Sequence, residues 1–165
     1  MFRIHALPAA QFQPLFALSD DALATRHIRS VVADEAHSFP CRVSLRDAEP
    51  GERLLLLPYE HHAVATPYRA SGPIFVRKAA TEAVLDAGEV PDQLRRRLLS
   101  VRAYGDGLMR IADVVEGKEI ETLVAKFLAR PDVDTLHVHF ARYGCYACRV
   151  TRADRPLRAV DRDPG

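Results

Sequence analysis

Apolar residues recur along this chain with two different periods, and the switches between them mark its elements. The helical period is clearest over 118–130, where Ile120, Leu123, Val124, Phe127 and Leu128 fall at i, i+3, i+4, i+7 and i+8. They form one apolar stripe, and Pro131 ends it. Two shorter helices are expected. One spans 20–26, with Ser19 as N-cap and Asp20 and Asp21 in the first turn. The other spans 92–99 and opens after Pro91. Strand-like stretches are 2–6, 28–33, 41–45, 53–59, 74–77, 101–104, 108–115, 135–140 and 145–151. Of these, 53–59 is apolar almost throughout, as a central strand would be. Turns are signalled by 47–52, by Gly105-Asp106-Gly107 and by Arg142-Tyr143-Gly144. Hairpin-linked strands with two or three helices predict an α+β fold around a mixed, mainly antiparallel sheet. A single domain over 1–151 is expected, with a charged, proline-containing, flexible C-terminal tail over 152–165.

A length of 165 residues suits one domain, which at this size buries roughly 68–70% of the surface its unfolded chain exposes. No disulfide or metal is needed to complete such a core. Lys plus Arg number 23 against 22 Asp plus Glu, a net charge of +1. That balance lacks the basic excess of a nucleic-acid partner. The longest apolar run, Leu54 to Leu57, is too short to cross a membrane. The N-terminus carries no signal-peptide pattern, and three cysteines do not form a secreted disulfide framework. A reducing cytoplasm is the expected location. Nothing in the pattern indicates an oligomeric state. Lysine occurs only at positions 78, 118 and 126, so arginine supplies nearly all the positive charge. Arginine binds carboxylate and phosphate in a fork, although a GC-rich coding sequence gives the same bias.

Five segments carry reactive side chains. Cys145-Tyr146-Ala147-Cys148 has redox-motif spacing, but it falls within an expected strand. There its Cα atoms stand roughly 10 Å apart on opposite faces, whereas a disulfide needs less than about 7 Å. His137 and His139 share one strand face about 6.6 Å apart, close enough to hold a zinc ion at about 2.0–2.1 Å from each nitrogen. A third ligand would come from Cys145 or Cys41 across the sheet. Glu60-His61-His62 follows the apolar strand and could serve acid–base chemistry, but neighbouring strand residues face opposite ways. The segment from Pro67 to Pro73 presents Tyr68, Arg69 and Ser71 on a stiff loop suited to a polar or anionic ligand. Cys41 beside Arg42 is either a buried thiol or a nucleophile.

These residues support two readings. In the first, the protein binds, or acts as an enzyme on, a polar or anionic small molecule. Its pocket is built from Cys41, Arg42, His61, Tyr68, Arg69, Ser71, His137, His139 and Cys145, and no cofactor is required. In the second it is a non-catalytic metal-binding or protein-interaction module, with zinc on His137 and His139. No phosphate loop, nucleophile elbow or paired-histidine zinc helix is present to choose a reaction.

The sequence also resembles a bacterial family, the domain of unknown function numbered 1203. The resemblance is carried by Phe39-Pro40-Cys41-Arg42-Val43-Ser44-Leu45, by Glu49-Pro50-Gly51-Glu52-Arg53 and by Leu55-Leu56-Leu57-Pro58-Tyr59-Glu60-His61. It continues through the stretch from Pro67 to Arg77, Leu98 to Arg102, Asp113 to Gly117 and Gly144-Cys145-Tyr146-Ala147. It covers roughly residues 2–151, and Cys148 departs from the pattern. The resemblance implies kinship among uncharacterised proteins and assigns no catalytic residue.

Overall fold

A computed structural model describes residues 1–154, and the remainder of the tail expected over 152–165 lies outside the described residues. Eight strands form two antiparallel sheets. The larger contains β1 (Phe2–His5), β5 (Leu98–Gly105), β6 (Leu108–Glu116), β7 (Thr135–Phe140) and β8 (Tyr146–Arg152), in the order β1-β8-β7-β5-β6. The smaller has the order β2-β3-β4, from β2 (Arg29–Val32), β3 (Arg53–His62) and β4 (Ala70–Arg77). Among the described residues three α-helices accompany them, α1 (Asp20–Ala24), α2 (Asp92–Arg95) and α3 (Ile120–Leu128), with three short 3-10 turns. The α+β class with mainly antiparallel strands is therefore what the chain adopts. No helix among the described residues is long and apolar enough to cross a membrane.

The apolar stripe of α3 buries Ile120, Leu123, Val124, Phe127 and Leu128 against one face of the larger sheet. Leu99, Val101 and Ala103 of β5 join them with Leu136, Val138 and Phe140 of β7, the alternate residues of each strand. Gly117, in the short 3-10 turn that leads into α3, packs closely against the end of α2. A Cβ there would stand 1.9 Å from the carbonyl oxygen of Leu94 and 2.8 Å from that of Arg97. Backbone atoms cannot step aside, so Gly117→Ala is expected to cost about 2–4 kcal/mol in urea denaturation. At Gly72 nothing lies within 4 Å of the added carbon, and Gly72→Ala should change stability by less than about 0.5 kcal/mol. A second apolar cluster gathers Leu55, Leu57, Ile74 and Val76 of the smaller sheet with Phe12, Leu23, Val43 and Tyr146. Tyr146 of β8 thus ties the two sheets together.

Local chemistry explains several boundaries. Ser19 caps α1, its hydroxyl accepting from the amide of Ala22 at 3.2 Å. Asp106 and Gly107, with φ of 52° and 74°, form the two-residue hairpin loop joining β5 to β6.

Other expectations need correction. Residues 41–45 are a buried loop: Cys41 makes only an isolated bridge to Phe75, and Leu45 has φ of 48°. The loop closes on itself through the Cys41 amide, which donates to the Arg46 carbonyl at 3.1 Å. Its alternating apolar residues serve separate clusters, Val43 in the second and Leu45 in the first. The helix expected over 92–99 stops at Arg95, because Leu98 and Leu99 instead pair with Glu116 and Val115 as the start of β5. The segment from Ala70 to Pro73, expected as loop, extends β4. Pro73 is tolerated because β4 is an edge strand, and Pro58 opposite it because β2 covers β3 only from Arg53 to Leu56, leaving that side of Pro58 unpaired. Arg152, the first residue of the expected tail, is the last of β8, and its guanidinium donates to the carbonyls of Leu128, Arg130 and Val133.

Candidate metal centre

Strand alternation in β7 sends Leu136, Val138 and Phe140 toward α3, and so Thr135, His137 and His139 to the opposite face. All six are buried, which makes β7 a central strand covered on both sides. Register then chooses the neighbours. His137 lies opposite Arg102 of β5 and Arg149 of β8, and His139 opposite Ser100 and, after an irregularity in the β7–β8 pairing, Tyr146.

The end of β3 closes over this face. Pairing between β3 and β4 shifts between Tyr59 and His62, and such a bulge breaks the alternation that would send adjacent side chains apart. His61 and His62 therefore both reach His137, at ring-centroid distances of 5.9 and 5.0 Å. His61 also lies 4.9 Å from the His139 ring and stacks on Tyr146 at 5.3 Å with the planes 6° apart. The two adjacent histidines, expected to face opposite ways, thus meet on one buried face, and the bulge is the physical reason.

His61, His137 and His139 form a group in which one ring nitrogen from each lies within 4.8 Å of the others. Each ring also carries one buried nitrogen with no hydrogen-bond partner: Nδ1 of His61, Nδ1 of His137 and Nε2 of His139. Buried polar atoms are rarely left this way. The tautomer of His139 follows from its surroundings. Its Nδ1 lies 3.0 Å from the carbonyl oxygen of Gly144, which can only accept, so Nδ1 carries the proton and Nε2 a free lone pair. Anchoring one imidazole nitrogen on a carbonyl to orient the other is the usual support of a metal-bound histidine. His62 differs, since its Nε2 lies 3.1 Å from the Gly107 carbonyl oxygen.

Burial keeps the three rings neutral. It is the main force pushing His61 down to about 4, with the charges of His62 and Arg102 adding to it. Burial likewise pushes His139 down to about 3, helped by Arg102. His137 falls well below its ordinary value through burial and the nearby Arg149. At neutral pH the site therefore offers three uncharged nitrogen donors with no protons to displace.

The other residues singled out in the sequence lie elsewhere. Cys41 is buried, its Sγ accepting from the amides of Ser44 and Arg77 at 3.5 and 3.4 Å. Neither it nor Cys145 belongs to the histidine group, where His61 takes the place the sequence offered to a thiolate. Cys148 packs in the helix-facing core, and burial pushes its thiol up to about 12. Cys145 instead accepts from Nη2 of Arg42 at 3.1 Å. The main chain of Tyr146 links Arg42 to the centre, its carbonyl accepting from Nε at 2.7 Å. Arg69 pairs with Glu60 at 2.5 Å on the surface, Ser71 is exposed on β4, and Tyr68 meets the centre only through Tyr104, edge-on at 6.5 Å. Sequence reasoning missed Tyr104, Tyr146, Arg102 and Arg149. Tyr104 lies 4.1 Å from His62 and 4.8 Å from His137. These four belong to strands paired with β7, so strand order was the missing signal.

A family model described as a protein of unknown function, DUF1203, matches residues 38–152. The matched span holds all three histidines, Arg42 and Cys145. No match to the chain was found among curated proteins or among solved structures.

Proposed function

Because the chain belongs to that family, DUF1203, whose function is unknown, we propose a function from its own residues: it binds a divalent transition metal, zinc by its ligand chemistry, through His61, His137 and His139. The observation that carries this reading is the convergence of three buried imidazoles, each with a nitrogen that no protein group satisfies. Neutral imidazole suits zinc, copper, nickel and iron, whereas magnesium and calcium require oxygen ligands. Zinc has no geometric preference from its d-electrons and is usually held tetrahedrally, with imidazole among its common ligands. A tetrahedral site would bring the nitrogens to about 3.4 Å from one another, a closure within reach of small ring movements from a spread of 4.8 Å.

The group includes no fourth His, Cys, Asp or Glu among the described residues. Three protein ligands with a position left over is the pattern of zinc sites that hold water or substrate. Arg102 and Arg149 bear on the outcome. Each raises the cost of placing a dication beside it, so the fourth ligand is expected to be an anion, hydroxide or a carboxylate or phosphate oxygen.

Calorimetric titration of chelator-stripped protein with zinc chloride tests the reading. One equivalent per chain is expected, with no heat from magnesium chloride. Acetate or phosphate present beforehand should strengthen zinc binding rather than compete with it. Absence of a saturable site, or equal binding of magnesium, would overturn the proposal. Zinc at about a hundred times its dissociation constant should also stabilise the fold by about 2.7 kcal/mol.

A further inference from the structure

A separate cavity opens beside Arg42 and Cys145. Its volume is about 570 Å³, and its lining includes Arg42, Arg96, Arg97, Arg142, Phe140 and Cys145, a size suited to a small molecule. We propose that this cavity binds a small organic anion, a carboxylate or phosphate monoester on an apolar body, whose charged end meets Arg42. None of its residues belongs to the histidine group, so this site stands independently of the metal.

The charge of Arg42 is the reason. Arg42 is 1% exposed, yet its guanidinium has no carboxylate partner among the described residues. It donates to the carbonyl oxygens of Tyr146 and Pro40 and to the sulfur of Cys145, all of them neutral or weak acceptors. A guanidinium has five N–H donors, so two remain for a ligand. A buried cation without a counter-ion is costly, and a bound anion removes that cost. Arg97 stands differently. It forms a fork with Asp47 at 2.8 and 3.2 Å and is neutralised by it. The two guanidiniums lie over the same Phe140 ring, 5.1 and 5.0 Å from its centroid. Asp47 thus answers one charge and leaves the other open.

The rest of the lining agrees. Among the described residues Arg142, exposed at the rim, has no hydrogen-bond or ion-pair partner, and Glu116 is the only carboxylate lining the cavity. Leu56, Phe75, Leu98 and Phe140 supply the apolar part of the wall. An inorganic ion alone would leave that wall unused, so the occupant has a body as well as a charge.

The chain contains no tryptophan, and Tyr143, a lining residue 89% exposed, can be replaced without disturbing the core. The Tyr143→Trp protein therefore carries a single fluorescent reporter at the rim. It would be titrated, after chelator treatment, with phenyl phosphate, benzoate and benzyl alcohol. Chelator treatment ensures that an anion captured by a metal on the histidines cannot imitate the result. A saturable change with at least one of the two anions is expected, with the alcohol at least about tenfold weaker. In the same background Arg142→Ala should weaken anion binding about three- to tenfold, and Glu116→Gln should tighten it about twofold. The tighter of the two anions identifies the head group. No saturation by either anion below about 10 mM, equal affinity for the alcohol, or indifference to both substitutions would overturn the proposal. Both substitutions are on exposed side chains, so the outcome does not depend on a variant of buried Arg42.

Discussion

The His139→Ala protein is expected to bind zinc at least about 100-fold more weakly than the unaltered protein, measured by competition with a chromophoric chelator. His139 has the most strictly oriented ring of the three, because the Gly144 carbonyl holds its Nδ1 and directs Nε2 inward. Alanine removes both the donor and its anchor. His62→Ala is the matched control. Its ring touches His137 at 5.0 Å, but its Nε2 is engaged by Gly107 and it lies outside the group of three. That variant should lose less than about tenfold, the effect of disturbing a supporting neighbour. Unchanged zinc affinity in His139→Ala, with the circular dichroism of the folded protein, would remove His139 from the site.

Acid should destabilise the metal-free protein well above the pH at which carboxylates titrate. His61 and His139 have folded-state values of about 4 and about 3, and His137 lies well below its ordinary value, all chiefly through burial. An unfolded histidine titrates near 6.5. Below that pH the unfolded chain takes up protons that the folded one refuses, so unfolding gains free energy as pH falls. Each such histidine contributes a slope of up to about 1.4 kcal/mol per pH unit. With three in play the slope approaches about 4 kcal/mol per pH unit near pH 5. The loss begins as pH drops through about 6.5 and ends for each group at its folded value, about 4 for His61 and about 3 for His139. Above pH 7 the three rings are neutral in both states and contribute no pH dependence. Urea denaturation of chelator-treated protein at pH 7, 6 and 5 measures this directly. A flat stability from pH 7 to 5 would show that the rings are not held neutral. Replacing His137 with Gln should reduce the slope by about one proton.

Local patterns made much of the fold readable. The stripe of α3, the Asp106-Gly107 turn and the span of β7 each depend on residues close in sequence, and each was placed from spacing alone. The loop at 41–45 was misread because alternation records only that side chains at alternate positions are buried. A loop threaded between two clusters buries them equally well. The site was half visible. His137 and His139 sit on one strand, and period-two geometry is enough to pair them. The third histidine depends on a bulge in β3 and on how the two sheets meet at Tyr146, both of which arise from long-range packing. Arg102 and Arg149 were hidden for a related reason. They flank His137 only because β7 lies between β5 and β8, an order the element sequence does not specify. The arginine bias noted in the composition has a structural counterpart in Arg42, buried without a carboxylate partner among the described residues, whereas the equally buried Arg77 is paired with Glu52.

Zinc K-edge X-ray absorption on protein loaded with one equivalent of zinc tests the central claim most directly. It reads the ligand shell itself, through the outer-shell scattering that imidazole rings produce. Three histidine nitrogens at about 2.0–2.1 Å, with one further light atom and no sulfur, is the expected shell. A sulfur neighbour at about 2.3 Å would move the metal to Cys41, Cys145 or Cys148. A shell of oxygen atoms without imidazole scattering would show zinc held adventitiously at the surface. Either result would contradict a metal centre built on His61, His137 and His139.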